Sequence, residues 1–212
     1  MKRMKKLIAA GLVAIMLAAT LVGCGSKFDA AKYVESCLDL LTKGETKDYT
    51  KMTKRSEEQA KQDYEDNIDA MITTMGAEGL SADLEEDYKQ LFKDIYAKAK
   101  YKVTDSEKMK DKDGYIVTVE VEQMTGIFNG LQDELMTEVE NYMSGLSEMP
   151  SDEEINNQVF QMMLDLMNAR LDGITYNDPE TITVEVVGND GVYSITDAGY
   201  SALDSALIDV TM

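Results

Sequence analysis

The chain has 212 residues and a formal net charge of −19 at pH 7, from 40 Asp and Glu against 21 Lys and Arg. It has no histidine and no tryptophan, which excludes a Ser-His-Asp triad, a Cys-His dyad and histidine-bearing zinc sites. Such a charge repels nucleic acid and anionic phospholipid, and it attracts cations, basic peptides or a basic protein surface.

The first element in chain order is a leader. Lys2, Arg3, Lys5 and Lys6 form a basic start, and an apolar run extends from about Leu7 to Leu21. Leu21, Val22 and Gly23 then precede Cys24, Gly25 and Ser26. This is the layout of a secretory signal peptide over residues 1–23. Its cleavage site resembles a bacterial lipobox, which implies lipidation of Cys24 as the new N-terminus. The apolar run is short for a membrane span and no stop-transfer charges follow it. A diacylglycerol thioether supplies two acyl chains, the number that stable anchoring requires. Residues 24–27 are then a short tether, and residues 28–212 are a single extracytoplasmic domain on the outer face of the cytoplasmic membrane. Removing the four basic residues of the leader takes the net charge from −19 to −23. Charge is also uneven along the chain, because residues 113–212 hold one base, Arg170.

Apolar residues at helical spacing (Ala30, Val34, Cys37, Leu38, Leu41) predict a first helix ending at Gly44. A short helix around Tyr49 and Met52 follows. Ser56 with Gln59 is a capping-box signature opening a helix through Tyr64, Ile68, Met71 and Met75. Ser81 or Asp83 caps the next, whose stripe is Leu84, Tyr88, Leu91, Phe92 and Ile95. The period then changes. Tyr101 to Ser106 is β-like, Asp111 to Gly114 reads as a turn, and Tyr115, Val117, Val119 and Val121 alternate with polar residues, as in a strand with one buried face. Helical spacing resumes from Ile127 through Leu131, Leu135, Val139 and Tyr142. A second capping box, Ser151 with Glu154, opens a helix through Phe160 and Met167. Thr181–Val187 and Val192–Ile195 flank a turn at 188–191, and Asp197 caps a last helix. The expected fold is α+β: an antiparallel, about four-stranded sheet made of two hairpins, with helices on one face.

Phe28-Asp29-Ala30, the Lys43-Gly44-Glu45 turn with Tyr49 after it, the stretch Leu91 to Tyr101 and the segment around Glu153 to Phe160 resemble cell-surface lipoproteins of clostridial-type Gram-positive bacteria. That resemblance implies an NTF2-like or cystatin-like curved sheet and carries no catalytic residue.

Candidate chemistry is sparse. Asp111 and Asp113 fit positions three and five of a calcium loop and Glu120 position twelve, but Met109 falls at position one, and a β-turn explains the same residues. Met162, Met163 and Met167 share a helix, where core packing is preferred to Cu(I) binding. Tyr49, Tyr176 and Tyr193 are candidate pocket aromatics. Cys37 reads as a buried core thiol. Asp133, Glu134, Glu138, Asp152, Glu153 and Glu154 are the candidate interaction surface. The resulting expectation is a non-catalytic binding module with no cofactor beyond the lipid on Cys24. Its partners are the membrane through that lipid and a cationic or basic protein, with no nucleic acid. An envelope receptor for a small ligand or cation is the alternative, and an Asp/Glu-based hydrolase is a third, weaker one.

Overall fold

The structure, a computed structural model, describes residues 28–76 and 79–211. The expected leader with Leu21, Val22 and Gly23, the lipidation site Cys24 and the tether to residue 27 lie outside the described residues.

The first helix, α1 (Ala30–Lys43), starts where the Asp29 carboxylate accepts from the Lys32 N–H, and it ends at Gly44 in the left-handed conformation (φ 67°). Its apolar stripe is buried as the spacing predicts. Cys37 is a free thiol within that stripe, and burial pushes its pKa up to about 12, so it stays protonated and inert. The chain continues through α2 (Lys47–Thr53) to α3 (Glu57–Thr74). Both halves of the Ser56–Gln59 capping box form at the start of α3. In α4 (Ala82–Tyr96) the cap is Ser81, whose hydroxyl accepts from the Leu84 N–H.

Strands β1 (Lys100–Lys108) and β2 (Gly114–Glu122) make the first hairpin. After β2 come a two-residue strand β3 (Met124–Thr125), helices α5 (Leu131–Ser144) and α6 (Asp152–Arg170), and a two-residue strand β4 (Thr175–Tyr176). The second hairpin is β5 (Glu180–Asn189) and β6 (Val192–Ile195), and α7 (Asp197–Leu207) follows. The four-stranded sheet has the order β1-β2-β5-β6, antiparallel throughout, so the expected two-hairpin α+β fold is the one found. Asp190 and Gly191 both take positive φ (52° and 79°), as a two-residue primed turn requires.

Val117 opposes Val184 and Val119 opposes Ile182 across β2 and β5. Val117, Val119, Val121, Val184 and Val186 are buried, whereas Lys102, Glu120, Thr181 and Thr183 are exposed on the other face. The strict alternation decides this, because successive side chains leave a strand on opposite sides. The buried face is covered by α1 over β1 and β2 and by α7 over β5 and β2. In contrast, α5 and α6 pack on each other, and α6 packs on α4. The helix pair is therefore an insertion built outward from α4.

Three local expectations are corrected. Helical spacing begins at Ile127, but α5 starts at Leu131. Gly126 (φ 96°) and Gly130 (φ 67°) hold the intervening segment out of helical geometry, although Ile127 and Phe128 are buried. The last helix is capped by Thr196, which accepts from the Gly199 N–H, with Asp197 in its first turn. The β3–β4 pair, two residues a side, is too short to show a period in sequence.

One carboxylate is buried in this core. Asp204 of α7 is 9% exposed and faces the Tyr96 hydroxyl at 3.5 Å. Burial raises its pKa from 3.8 to about 6, against a smaller lowering from the Tyr96 hydrogen bond. A folded-state pKa above the unfolded one makes ionisation costly in the fold, so this side chain weakens the protein progressively as pH rises from about 4 to 6. Asp204→Asn is expected to stabilise the domain by on the order of 2 kcal/mol at pH 7.5 and by almost nothing at pH 3.5. Urea denaturation at the two pH values measures the difference.

Candidate functional site

The α4–α6 contact creates a feature with the shape of a site. Tyr88 of α4 donates its hydroxyl to the Phe160 carbonyl of α6 at 2.7 Å, and the two rings meet edge-to-face with centroids 6.0 Å apart. One end of this contact is held by the Ser81 N–H, which donates to the Asn157 side-chain oxygen at 2.9 Å. Between these two helices and the end of α5 opens a cleft of about 820 Å³.

Its lining follows from helical periodicity. Asp83 and Asp87 stand one turn apart on α4, beside the buried Leu84 and Tyr88. On α6 the same logic exposes Glu153 and Glu154 and leaves Asn157, Gln158 and Gln161 half-buried along the cleft, while Phe160 and Leu164 turn to the core. Tyr142 and Pro150 complete the wall, together with the two N-cap serines, Ser81 and Ser151. Four carboxylates and three amides thus line the cleft, and no lysine or arginine does.

Within it, Glu154 is committed to structure. Its carboxylate accepts from the Ser151 N–H at 2.8 Å and its own N–H donates to the Ser151 hydroxyl at 3.2 Å. Those hydrogen bonds, from the Ser151 backbone first, hold its carboxyl below the usual range. Glu153, Asp83 and Asp87 remain exposed acceptors. Such an arrangement attracts a cation or a lysine or arginine side chain. The carboxyl whose pKa is raised, Asp204, lies in the core beside Tyr96 and outside this cleft.

The candidate residues read from sequence are only partly brought together. Glu153 and Glu154 line the cleft, and Asp152 stands beside them in the first turn of α6. Asp133, Glu134 and Glu138 do not join them. Helices α5 and α6 are antiparallel, and Glu134 pairs with Arg170 at 2.9 Å. At about 1.5 Å per residue, that pair is roughly 24 Å along α6 from Glu154. The six acids are thus two groups at opposite ends of the insertion.

The calcium-loop spacing of Asp111, Asp113 and Glu120 is not realised. Residues after Asp113 are strand, and at about 3.3 Å per residue Glu120 lies roughly 20 Å up β2 from Gly114. The Asp113 carboxylate instead accepts from the Tyr193 hydroxyl at 3.2 Å, and Glu120 stands on the open sheet face opposite Lys102 and Thr181. No metal-holding group of three or more Asp, Glu or Cys side chains occurs among the described residues.

The three candidate tyrosines serve separate places. Tyr49 is buried and donates to Asp63 at 3.3 Å, Tyr176 donates to the Lys98 carbonyl at 2.8 Å, and Tyr193 stacks on Phe28. Met163 and Met167 are core residues. Asp83, Asp87, Tyr142 and the amides of α6 escaped the sequence reading. The i, i+4 pair of aspartates was visible, but a polar helix face of this kind is also what solvent alone requires.

The fold and cleft define an α+β domain with a helix-backed antiparallel sheet and an inserted helix pair. No protein-family model matches the chain, and no curated protein matches it. Its fold is similar to that of ycdA from Bacillus subtilis, a protein assigned as a lipoprotein, whose crystal structure superposes with a TM-score of 0.56 at 20% identity. The match covers 84% of this chain, which spans only 56% of that protein's length. At this identity the likeness is one of fold.

The coupling of α4 to α6 is directly measurable. Tyr88→Phe removes the hydroxyl's hydrogen bond to the Phe160 carbonyl, which keeps its helical N–H partner, and is expected to cost about 1 kcal/mol in urea unfolding. A cost near zero shows that the hydroxyl is not what holds the cleft walls together.

Proposed function

We propose that the protein is a lipid-anchored lipoprotein on the outer face of the cytoplasmic membrane, and that its domain is a non-catalytic binding module. The acidic cleft between α4, α5 and α6 takes a basic segment of a partner protein at the cell surface. The observation that carries this reading is the lining of four carboxylates with no base. Complementary charge speeds encounter and selects the partner. Met149, next to Pro150 of the lining, is 73% exposed and adds an apolar contact that a peptide uses and a bare cation does not.

Anchoring rests on the leader and on Cys24, and the assignment of the Bacillus subtilis protein of similar fold as a lipoprotein favours it. Among the described residues no helix is long and apolar enough to cross a membrane, and attachment in this reading is through the Cys24 lipid. The four-stranded sheet backed by α1 is what favours the NTF2-like or cystatin-like comparison. The reading includes no cofactor and no nucleic-acid partner. A cation receptor is the second reading, favoured by the same oxygen-rich lining.

The test uses the domain from residue 25 onward, titrated calorimetrically with an oligolysine peptide and, separately, with calcium chloride. Peptide binding is expected, weakened about tenfold in the Asp83→Asn/Asp87→Asn/Glu153→Gln variant and weakened further by salt. Calcium binding lost in the same variant, without peptide binding, replaces the first reading by the second. Peptide binding that the variant leaves unchanged removes the cleft from the function.

A further inference from the structure

Where the domain meets its tether, the structure is unusually specific. The ring of Phe28 stacks on Tyr193 with centroids 4.0 Å apart and planes 6° from parallel. It also meets Tyr115 edge-on at 5.5 Å and Tyr33 at 5.6 Å. Tyr115 begins β2 and Tyr193 lies in β6, so the clamp sits at the end of the sheet that carries both hairpin turns.

The two turns are joined there. Besides the Tyr193–Asp113 hydrogen bond, the Gly188 N–H donates to the Asp113 carbonyl at 2.9 Å, and Lys112 pairs with Glu185. Phe28 is thus bolted to a single rigid end, made of the β1–β2 turn and the β5–β6 turn.

Chain length then limits the geometry. Three residues lie between Cys24 and Phe28, and the four steps from one to the other span at most about 14 Å when fully extended. A lipid on Cys24 holds this end of the sheet within that distance of the headgroups, whatever path the tether takes.

Charge points the same way. The tip of the first hairpin carries exposed Lys108, Lys110 and Lys112, balanced by Glu107, Asp111 and Asp113. The α5–α6 insertion, by contrast, has Arg170 as its single base. An anionic bilayer therefore repels the insertion much more than it repels the lysine-bearing tip. The clamp and the acidic cleft share no structural element: the clamp joins Phe28 and α1 to β2 and β6, whereas the cleft is lined from α4, α5 and α6 and the turns beside them.

We propose that the hairpin end of the sheet is the face that rests on the lipid headgroups, fixed there by the Phe28–Tyr115–Tyr193 clamp, and that it leaves the acidic cleft clear of the bilayer. This rests on lipidation of Cys24. It adds an interaction surface and a function for aromatic residues that the cleft does not use.

The test uses the full-length lipoprotein, purified with its anchor, in vesicles of phosphatidylglycerol and phosphatidylethanolamine. A fluorophore is attached at Lys110→Cys, Asp190→Cys or Gln158→Cys, with the buried Cys37 left in place, and lipid bearing a headgroup quencher is added. Labels at 110 and 190 are expected to be quenched about threefold more than the label at 158, since they lie within about one tether length of the headgroups. Phe28→Ala, and independently Tyr193→Leu, should reduce that contrast while the far-ultraviolet spectrum stays native. Equal quenching at the three sites, or stronger quenching at 158, on protein that sediments with the vesicles overturns the orientation and leaves the anchor intact. Protein that does not sediment with them, or whose N-terminus carries no lipid by mass spectrometry, overturns both.

Discussion

The pairing of β2 with β5 is the constraint on which the rest of the structure depends. These strands are neighbours in space, with Val117 opposite Val184, although two helices lie between them in sequence. The insertion must therefore leave the sheet and return to it at the same point. The short β3–β4 ladder closes that neck, pairing Met124 with Tyr176 and Thr125 with Thr175. The Arg170 guanidinium seals it from the helix side by donating to the Ile127 carbonyl at 2.7 Å, and Asp209 after α7 donates its N–H to the Met124 carbonyl at 2.8 Å. A loop of this length is expensive to close unless local pairs fix its ends. Two residues a side do so here because Met124 and Ile127 are buried among the surrounding helices.

The neck explains why the acidic residues do not destabilise the core. The sheet, α1 and α7 form the main mass of apolar packing, whereas the carboxylates of the insertion project from helices that touch the rest of the protein mainly through α4. Like-charge repulsion along α5 and α6 is thus borne by solvent-facing side chains, where screening is strong. The same arrangement places Asp83 and Asp87 of α4 against Glu153 of α6 and produces a cleft in which negative charge is concentrated. A partner that supplies positive charge relieves that concentration, which is the physical basis for reading the cleft as a binding surface.

The two ends of the domain then differ in chemistry. At the hairpin end, aromatic rings pack around Phe28 and exposed lysines mark the first turn, and at the insertion, carboxylates and amides line an open cleft. In the proposed anchored orientation this polarity sets one end near the bilayer and leaves the other accessible. Cys37, Tyr49 and the methionines of α6 are core material between them.

Much of this was legible in the amino-acid sequence because it depends on neighbours in the chain. Capping boxes at Ser56 and Ser151, the glycine end of α1, the valine alternation of β2 and the Asp190-Gly191 turn are local stereochemistry, readable over three to eight residues. The leader and Cys24 are likewise a local pattern, read from residue order. Long-range facts were not legible. Helical spacing extends back to Ile127, but only the backbone at Gly126 and Gly130 delays α5, and two-residue strands have no period to detect. Acids at 133–138 and 152–154 look like one surface in sequence and separate because an antiparallel helix pair puts its two N-termini at opposite ends. The aspartates of α4 join Glu153 only when Tyr88 reaches Phe160, seventy-two residues away. By itself the sequence determined the elements, their caps and the acidic character of the second half. Which charges share a cleft, and which end of the sheet receives Phe28, was decided only by tertiary packing, because side chains distant in the chain meet where burial of apolar surface brings their elements together.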